Sequence, residues 1–322
     1  MKRNSRTTVG LSTFSAALLI ACAATGLGTA SFGQALADVS VDDTYISSMP
    51  FEMSLQPSLS AAFLGQPSSP LPEGSVLPNY AVVSVGPDAS VTVNSGPIKG
   101  SVLLGNGTTS TSSGGGNGQI TGTVDVSPTV SGDNLSHIQI APTIVTVPSS
   151  VGLQAFNDAV SLSNAASALA PTQTYGNVTG ALAINGNGGL NVININSLSN
   201  PDLTITGNAN DKFVFNISGN FSTNHVMVLN GVDPSQLLFN MTGASGNIFQ
   251  TSGGDTLYGT FLATHGGDFQ FSNLHLTGQL INTAGHMQIV SGSQVAVPEP
   301  GMLQLLGFGA LALAGALKRL KG

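Results

Sequence analysis

The sequence predicts a mostly β protein, a β-solenoid with one flanking α-helix, on three observations. Short runs in which apolar residues alternate with Ser, Thr, Asn or Gln recur from Tyr80 to Val290, the signature of half-buried strands. Five runs share an apolar-x-Gly-x-apolar core: Ile98–Val102, Ile120–Val124, Val178–Leu182, Leu257–Phe261 and Leu276–Leu280. One stretch, 149–170, abandons alternation for helical spacing. A β-sandwich also yields many short strands, so periodicity alone leaves that architecture open.

The elements follow in chain order. Lys2, Arg3 and Arg6 precede an apolar stretch from Val9 to Ala30, and Ala35-Leu36-Ala37 follows. This is the basic, apolar and small-residue order of a secretory signal helix, with cleavage after Ala37. Leu19-Ile20-Ala21-Cys22 offers a competing lipoprotein reading, in which Cys22 carries the lipid. Cys22 is the sole cysteine, so either route predicts a body without disulfides. Residues 38–78, rich in Pro and Ser, read as a cap or linker.

The predicted β domain spans 79–293. Its first strands are Tyr80–Val85, Ser90–Val93, Ile98–Leu104, Gln119–Val126 and Ile138–Val147. After a break come Val178–Ile184, Leu190–Ile195, Leu203–Thr206, Phe213–Ile217, Val226–Leu229 and Leu237–Met241. Leu257–Ala263, Phe269–Phe271, Leu274–Ile281 and Met287–Val290 close the series. In each five-residue repeat the two apolar side chains are expected to point inward, and the central glycine leaves room in a narrow cross-section.

The helix is expected over Ser149–Ala170, capped by Ser149 or Ser150 and stopped at Pro171. Leu153, Phe156, Val160 and Leu169, with Ala159 and Ala166, form its apolar stripe; Asn157, Ser161, Asn164 and Ser167 form the polar side. At 1.5 Å per residue it would reach about 33 Å, the height of roughly seven strands at ~4.8 Å.

The tail, 294–322, contains Val297-Pro298-Glu299-Pro300-Gly301, an apolar stretch from Met302 to Leu317, and Lys318-Arg319-Leu320-Lys321-Gly322. It predicts a C-terminal transmembrane helix of about 24 Å with its basic end held in the cytoplasm. The order Pro298-Glu299-Pro300, apolar segment, then Lys318, Arg319 and Lys321 closely resembles the PEP-CTERM sorting signal of Gram-negative bacteria. That resemblance implies export by the Sec machinery, a stay at the inner membrane, recognition by an exosortase, and release into the envelope or an exopolysaccharide matrix. The basic cluster departs from the arginine run usual in that signal.

Asn79–Gly107, Ile120-Thr-Gly-Thr-Val124 and the alanine-rich helix resemble ice-binding-like bacterial surface domains. Gln236-Leu-Leu-Phe-Asn240 and Leu257-Tyr-Gly-Thr-Phe-Leu-Ala263 resemble both those domains and the choice-of-anchor A domains. Together the likeness spans 79–293. It implies a discontinuous right-handed β-helix with a flanking helix, and attachment through a flat outer face.

Composition narrows the function. Only 7% of residues are charged, mean hydropathy is +0.26, and an ordinary domain carries about 25% charge. Residues 38–300 hold all 15 acids and two bases, Lys99 and Lys212, a net 2 − 15 = −13. Such a surface excludes nucleic-acid binding, which needs phosphate-neutralising cations.

No zinc-protease helix, nucleophile elbow or phosphate loop occurs, and Gly114-Gly115-Gly116 lacks the lysine such a loop needs. Of the five histidines, only His265 has an acid nearby, Asp268, and turn roles explain both. Asn185–Gly189 and Asn208–Asp211 offer oxygen ligands for calcium, but tight turns account for them equally. The expectation is no catalytic residue, no metal and no cofactor. Thr121/Thr123 and Thr204/Thr206 supply Thr-x-Thr pairs of the kind an ice-binding face needs, without a sustained register along the sequence.

The sequence therefore predicts an exported, non-enzymatic surface or matrix protein, structural or adhesive, with extracellular polysaccharide as a possible partner. An ice-binding protein is the first alternative, and a polysaccharide-modifying enzyme the second.

Overall fold

A computed structural model describes residues 75–93, 96–105, 109–111, 120–128, 143–290 and 292–297. The predicted signal helix and its Ala35 and Ala37, Cys22, all but the end of the 38–78 linker, and the sorting residues Pro298, Glu299, Pro300, Lys318, Arg319 and Lys321 lie outside them.

Strands β1 (Tyr80–Val93), β2 (Ile98–Lys99), β3 (Ser101–Gly105), β4 (Thr109–Thr111), β5 (Val124–Val126) and β6 (Ile144–Thr146) precede helix α1 (Ser149–Ser167). Then come β7 (Gln173–Val178), β8 (Leu182–Asn185), β9 (Leu190–Ser199), β10 (Leu203–Thr206), β11 (Lys212–Ile217), β12 (Phe221–Thr223) and β13 (Val228–Asn230). The last six are β14 (Leu237–Met241), β15 (Asn247–Thr251), β16 (Thr256–Ala263), β17 (Asp268–Phe271), β18 (His275–Ile289) and β19 (Gln294–Ala296).

All the pairings are parallel, and they correct the expected right-handed β-helix. Pairing runs β16–β14–β11–β9–β12–β15–β17–β18, and a further β16–β18 ladder joins the two ends, closing eight parallel strands into a barrel. The closure rests on long strands that each serve two neighbours. Strand β9 pairs with β11 through 190–195 and with β12 through Leu198 and Ser199. Strand β18 pairs with β16 through 275–282 and with β17 through 287–289. The sequence pattern divides β18 into Leu274–Ile281 and Met287–Val290, so the continuity that joins the walls was hidden. A second sheet, β13–β10–β8, stands apart. Among the described residues no helix is long and apolar enough to cross a membrane; the expected C-terminal transmembrane helix, Met302 to Leu317, lies outside them.

Eight phenylalanines fill the barrel, all essentially inaccessible. The rings of Phe215, Phe239 and Phe261 lie parallel at successive centroid distances of 4.5 Å, and Phe249 stacks on Phe261 at 4.5 Å. The parallel register forces this column, because Phe215 pairs with Phe239 and Phe239 with Phe261. Each ring adds aromatic contact of about 0.5–1.5 kcal/mol to its burial.

Helix α1 seals one wall. Val214, Leu238, Leu262 and Ile281 of the barrel, with Val83, Val85 and Leu103 of the adjoining β1 and β3, pack under Ala155, Ala159, Leu162 and Ala166. Strands buried on both faces read as continuous apolar runs, as in Phe213-Val-Phe and Leu237-Leu-Phe. The predicted helix stripe is rotated, since Leu153 is 50% exposed while Gly152, Ala155 and Leu162 are buried. Small residues let the helix approach closely, and a Cβ on Gly105 would lie 3.0 Å from the Gly152 Cα. Pro148 occupies the N-cap position without a side-chain cap, so neither Ser149 nor Ser150 plays the expected capping role.

Four of the five repeat glycines are required by close approach. A Cβ on Gly278 would sit 1.8 Å from the Gly259 carbonyl oxygen, and Cβ atoms on Gly259, Gly100 and Gly122 would also collide with neighbours. Gly180 faces open space, so the repeat is coincidental there.

Candidate adhesive surfaces

With the helix covering one wall, two sheet surfaces are left uncovered by the described residues. The first is β8–β10–β13. Leu182 and Ile184, and Leu203 and Ile205, point into the core, so alternation sends Ala183, Asn185, Thr204 and Thr206 outward. Register aligns Ala183 with Thr204 and Val228, and Asn185 with Thr206 and Asn230. The result is two parallel columns of small side chains, one carrying methyl groups and a hydroxyl, the other amides and a hydroxyl. Val228 is 45% exposed, and its neighbour Val226 53%. The Asn230 amide donates to Thr206 Oγ1 at 3.4 Å, which holds two members of a column together.

An isolated bridge between Val226 and Thr256 continues this surface. There Tyr258, Thr277, Ala296 and Lys99 align across β16, β18, β19 and β2, with Thr256, His275 and Gln294 beside them. Tyr258, His275 and Lys99 break the flatness, so the even patch is three strands wide.

The second bare surface is the wall of β12, β15, β17 and the C-terminal part of β18. Ser222, Gln250, Gln270 and Gln288 align there, one per strand. They line a shallow groove of about 440 Å³.

The groups considered for catalysis are occupied structurally. His265 Nδ1 lies 3.0 Å from Thr264 Oγ1, while Asp268 Oδ1 accepts the His286 backbone N–H at 2.8 Å. The two are thus given different partners rather than paired. His286 Nδ1 lies 2.8 Å from Ser90 Oγ, and His225 contacts Asp202 at the surface. Tyr80 donates its hydroxyl to Asp125 at 2.7 Å, and burial, with that bond and the aspartate charge, pushes its pKa far upward.

The two asparagine-rich turns converge on one carboxylate. Buried Asp211 accepts from the backbone N–H of Gly188 at 2.7 Å, of Asn208 at 2.9 Å, and from the amides of Asn191 and Asn208. Burial raises its pKa, but the donors from Asn208, Gly188, Asn191 and Gly189 outweigh burial and leave it below the ordinary value. Oxygens engaged by N–H donors have little capacity for a cation, so these turns are clamps. Among the described residues no cluster of three His, Cys, Asp or Glu could hold a metal. Asp255 is also buried, and burial lifts its pKa despite donors at Gly253 and Ser252.

Sequence reasoning named Thr204 and Thr206 and read Asn185 as part of a turn, but missed Val228 and Asn230; all join one surface only through pairing across about 20 residues. It also missed the glutamines, though Phe249-Gln-Thr, Phe269-Gln-Phe and Met287-Gln-Ile repeat one pattern, an outward amide between inward neighbours.

The described body is parallel β, with one face sealed by a helix and others left uncovered by the described residues. The chain belongs to the family described as "Putative Ice-binding-like adhesive domain", whose model matches residues 77–293. A search of the curated proteins found no match. Similar solved structures include the ice-binding protein of the Antarctic ascomycete Antarctomyces psychrotrophicus, 16% identical, covering 71% of this chain and 98% of that one, with TM-score 0.45. The ice-binding protein of an Arctic yeast is 15% identical over 71% of this chain and 94% of its own, with TM-score 0.48. One from an Antarctic biological consortium is 20% identical over 69% and 88%, with TM-score 0.46.

Proposed function

We propose that this protein is an exported surface adhesin whose ice-binding-like domain attaches to ice through the β8–β10–β13 sheet. The observation that carries the reading is the pair of in-register columns, Ala183–Thr204–Val228 and Asn185–Thr206–Asn230. Strands set the columns' repeat at about 4.8 Å, close to the oxygen spacing along an ice lattice row. Exposed methyl groups order the water above them, and hydroxyls and amides anchor that layer. Family membership supports this reading better than the structural or adhesive matrix role expected first from sequence. Attachment of this kind needs no catalytic group.

The flanking segments supply the address. Residues 1–37 serve as the export signal with cleavage after Ala37, 38–78 as a linker, and 79–293 as the adhesive domain. In the tail, 294–322, Pro298-Glu299-Pro300 and the Lys318, Arg319 and Lys321 cluster form a PEP-CTERM signal for an exosortase, which directs the protein to the envelope or matrix of a Gram-negative cell.

The test is recrystallisation inhibition and thermal hysteresis by the purified exported protein at micromolar concentration. Activity is expected, and Val228→Arg, a change at an exposed position, should abolish it while leaving the unfolding temperature unchanged. Absence of both activities in the unaltered protein refutes the ice reading.

A further inference from the structure

We propose a second binding site, the groove on the β12–β15–β17–β18 wall, which takes an extended neutral polysaccharide chain running across the strands. Register stacks Ser222, Gln250, Gln270 and Gln288 one above another. All four are half-buried, so each has a fixed stem and an accessible head. Asn200, Ser252, Ser272 and Val290 line the groove beside them.

The chemistry of the lining selects the ligand. Every lining side chain is uncharged. The titratable groups beside the lining are engaged: Asp255 accepts from the Ser252 and Gly253 backbone, His225 contacts Asp202, and Asp268 and His286 hold the His286 backbone and Ser90. An anion would call for cations, and a cation for carboxylates; the groove supplies neither. Primary amides offer two donors and an acceptor oxygen, which suits sugar hydroxyls that are themselves donors and acceptors. The Gln250 amide donates to Gln270 Oε1 at 3.3 Å. That bond orients both heads while using one N–H of the first and one lone pair of the second. From Ser222 to Gln288 the column spans three strand spacings, roughly 14 Å, enough for about three hexose units with one polar head for each step. Without an exposed aromatic ring to stack on a sugar, the site depends on repetition along a polymer, so its affinity for short oligomers is low.

The site is independent of the ice reading, because it lies on another wall and uses none of the same residues. Affinity electrophoresis of the exported protein tests it, in gels containing hydroxyethyl cellulose or dextran as neutral polymers and alginate as the anionic one. Retardation by a neutral polymer and none by alginate is expected. Gln250→Ala combined with Gln270→Ala should weaken it about tenfold, the loss of roughly 1.4 kcal/mol. Ser252→Arg, which fills the groove from an exposed position and spares the ladder, should weaken it as well. Val228→Arg should leave retardation intact. The proposal is overturned if neither neutral polymer retards the protein, if alginate retards it equally, or if both groove variants migrate as the unaltered protein does.

Discussion

Exchanging the Asn240 side-chain amide for a carboxyl tests how the helix is held to the barrel. Asn240 is buried in β14 and accepts from Ser163 Oγ at 2.7 Å. Its two amide hydrogens are shared among three acceptors, the Ser163 carbonyl at 3.1 Å, Ser167 Oγ at 2.9 Å and Asn216 Oδ1 at 2.8 Å. In Asn240→Asp the new oxygen faces two acceptors that have no hydrogen to offer, the Ser163 carbonyl and Asn216 Oδ1. The Asn216 amide cannot simply turn over, because its own N–H groups are donated to Ala166 O and Asn194 Oδ1. A buried charged acceptor left unsatisfied costs about 3 kcal/mol or more. For a domain of this size that lowers the unfolding midpoint by about 6–12 °C. The surroundings disfavour ionisation, so the introduced carboxyl has a raised pKa in the folded state. Its penalty is therefore full at neutral pH and fades as pH falls below the folded-state pKa. Asn240→Ala costs about 2 kcal/mol with no such pH dependence. Thermal unfolding followed by circular dichroism at pH 7 and pH 4, against the unaltered protein at each pH, measures both. A deficit below 2 °C for the Asp variant at pH 7, or one that does not shrink at pH 4, refutes the reasoning.

Other outcomes follow from the same kind of accounting. Asp211 has a lowered pKa in the folded state, so it contributes stability above its unfolded value near 3.9 that is lost as pH falls through the folded one; Asp211→Asn should lower the midpoint at pH 7 and flatten its acid dependence in a pH series of melts. Gly278→Ala drives a Cβ to 1.8 Å from a backbone oxygen and should cost about 3 kcal/mol in urea unfolding. Phe239→Ala removes the middle ring of the aromatic column and should cost about 3–5 kcal/mol, whereas Phe239→Leu should lose less. Thr206→Lys, on the bare sheet, should depress ice recrystallisation inhibition without moving the melting curve.

What could be read from sequence follows from the range over which each signal acts. Alternation is local, so each predicted strand coincides at least partly with an observed one, and the helix begins at the expected Ser149. Consecutive apolar pairs such as Val214-Phe215 and Leu238-Phe239 already marked the wall that needs cover on both sides. Closure of the barrel was hidden because it depends on β9 and β18 continuing past apparent breaks, through polar residues such as Asn282 and Thr283, which are buried. Strands β12 and β15 were missed for a related reason: Phe221-Ser-Thr is too short to alternate. The bare columns were illegible in principle, since Thr206 and Asn230 lie far apart in the chain and become neighbours only through register. Asn240 stood in a motif that pointed to the family, yet nothing in Gln-Leu-Leu-Phe-Asn reveals that its last residue grips the helix.

Rigidity connects the packing to the proposed adhesion. A surface that binds an ordered lattice or a stiff polymer gains little per contact, so entropy lost on ordering its own side chains would cancel the gain. The fold removes much of that cost beforehand. Ladders fix the outward residues at strand spacing, and the stacked phenylalanines behind them resist compression at protein packing density. Short side chains such as Thr204, Val228 and Ala183 have few rotamers left to lose, and the Gln250–Gln270 bond restrains two longer ones. The helix-covered wall anchors this arrangement through buried hydrogen bonds such as those of Asn240. Loosening α1 should therefore weaken binding on both bare walls without altering a residue on either, the outcome that separates a preorganised surface from an adaptable one.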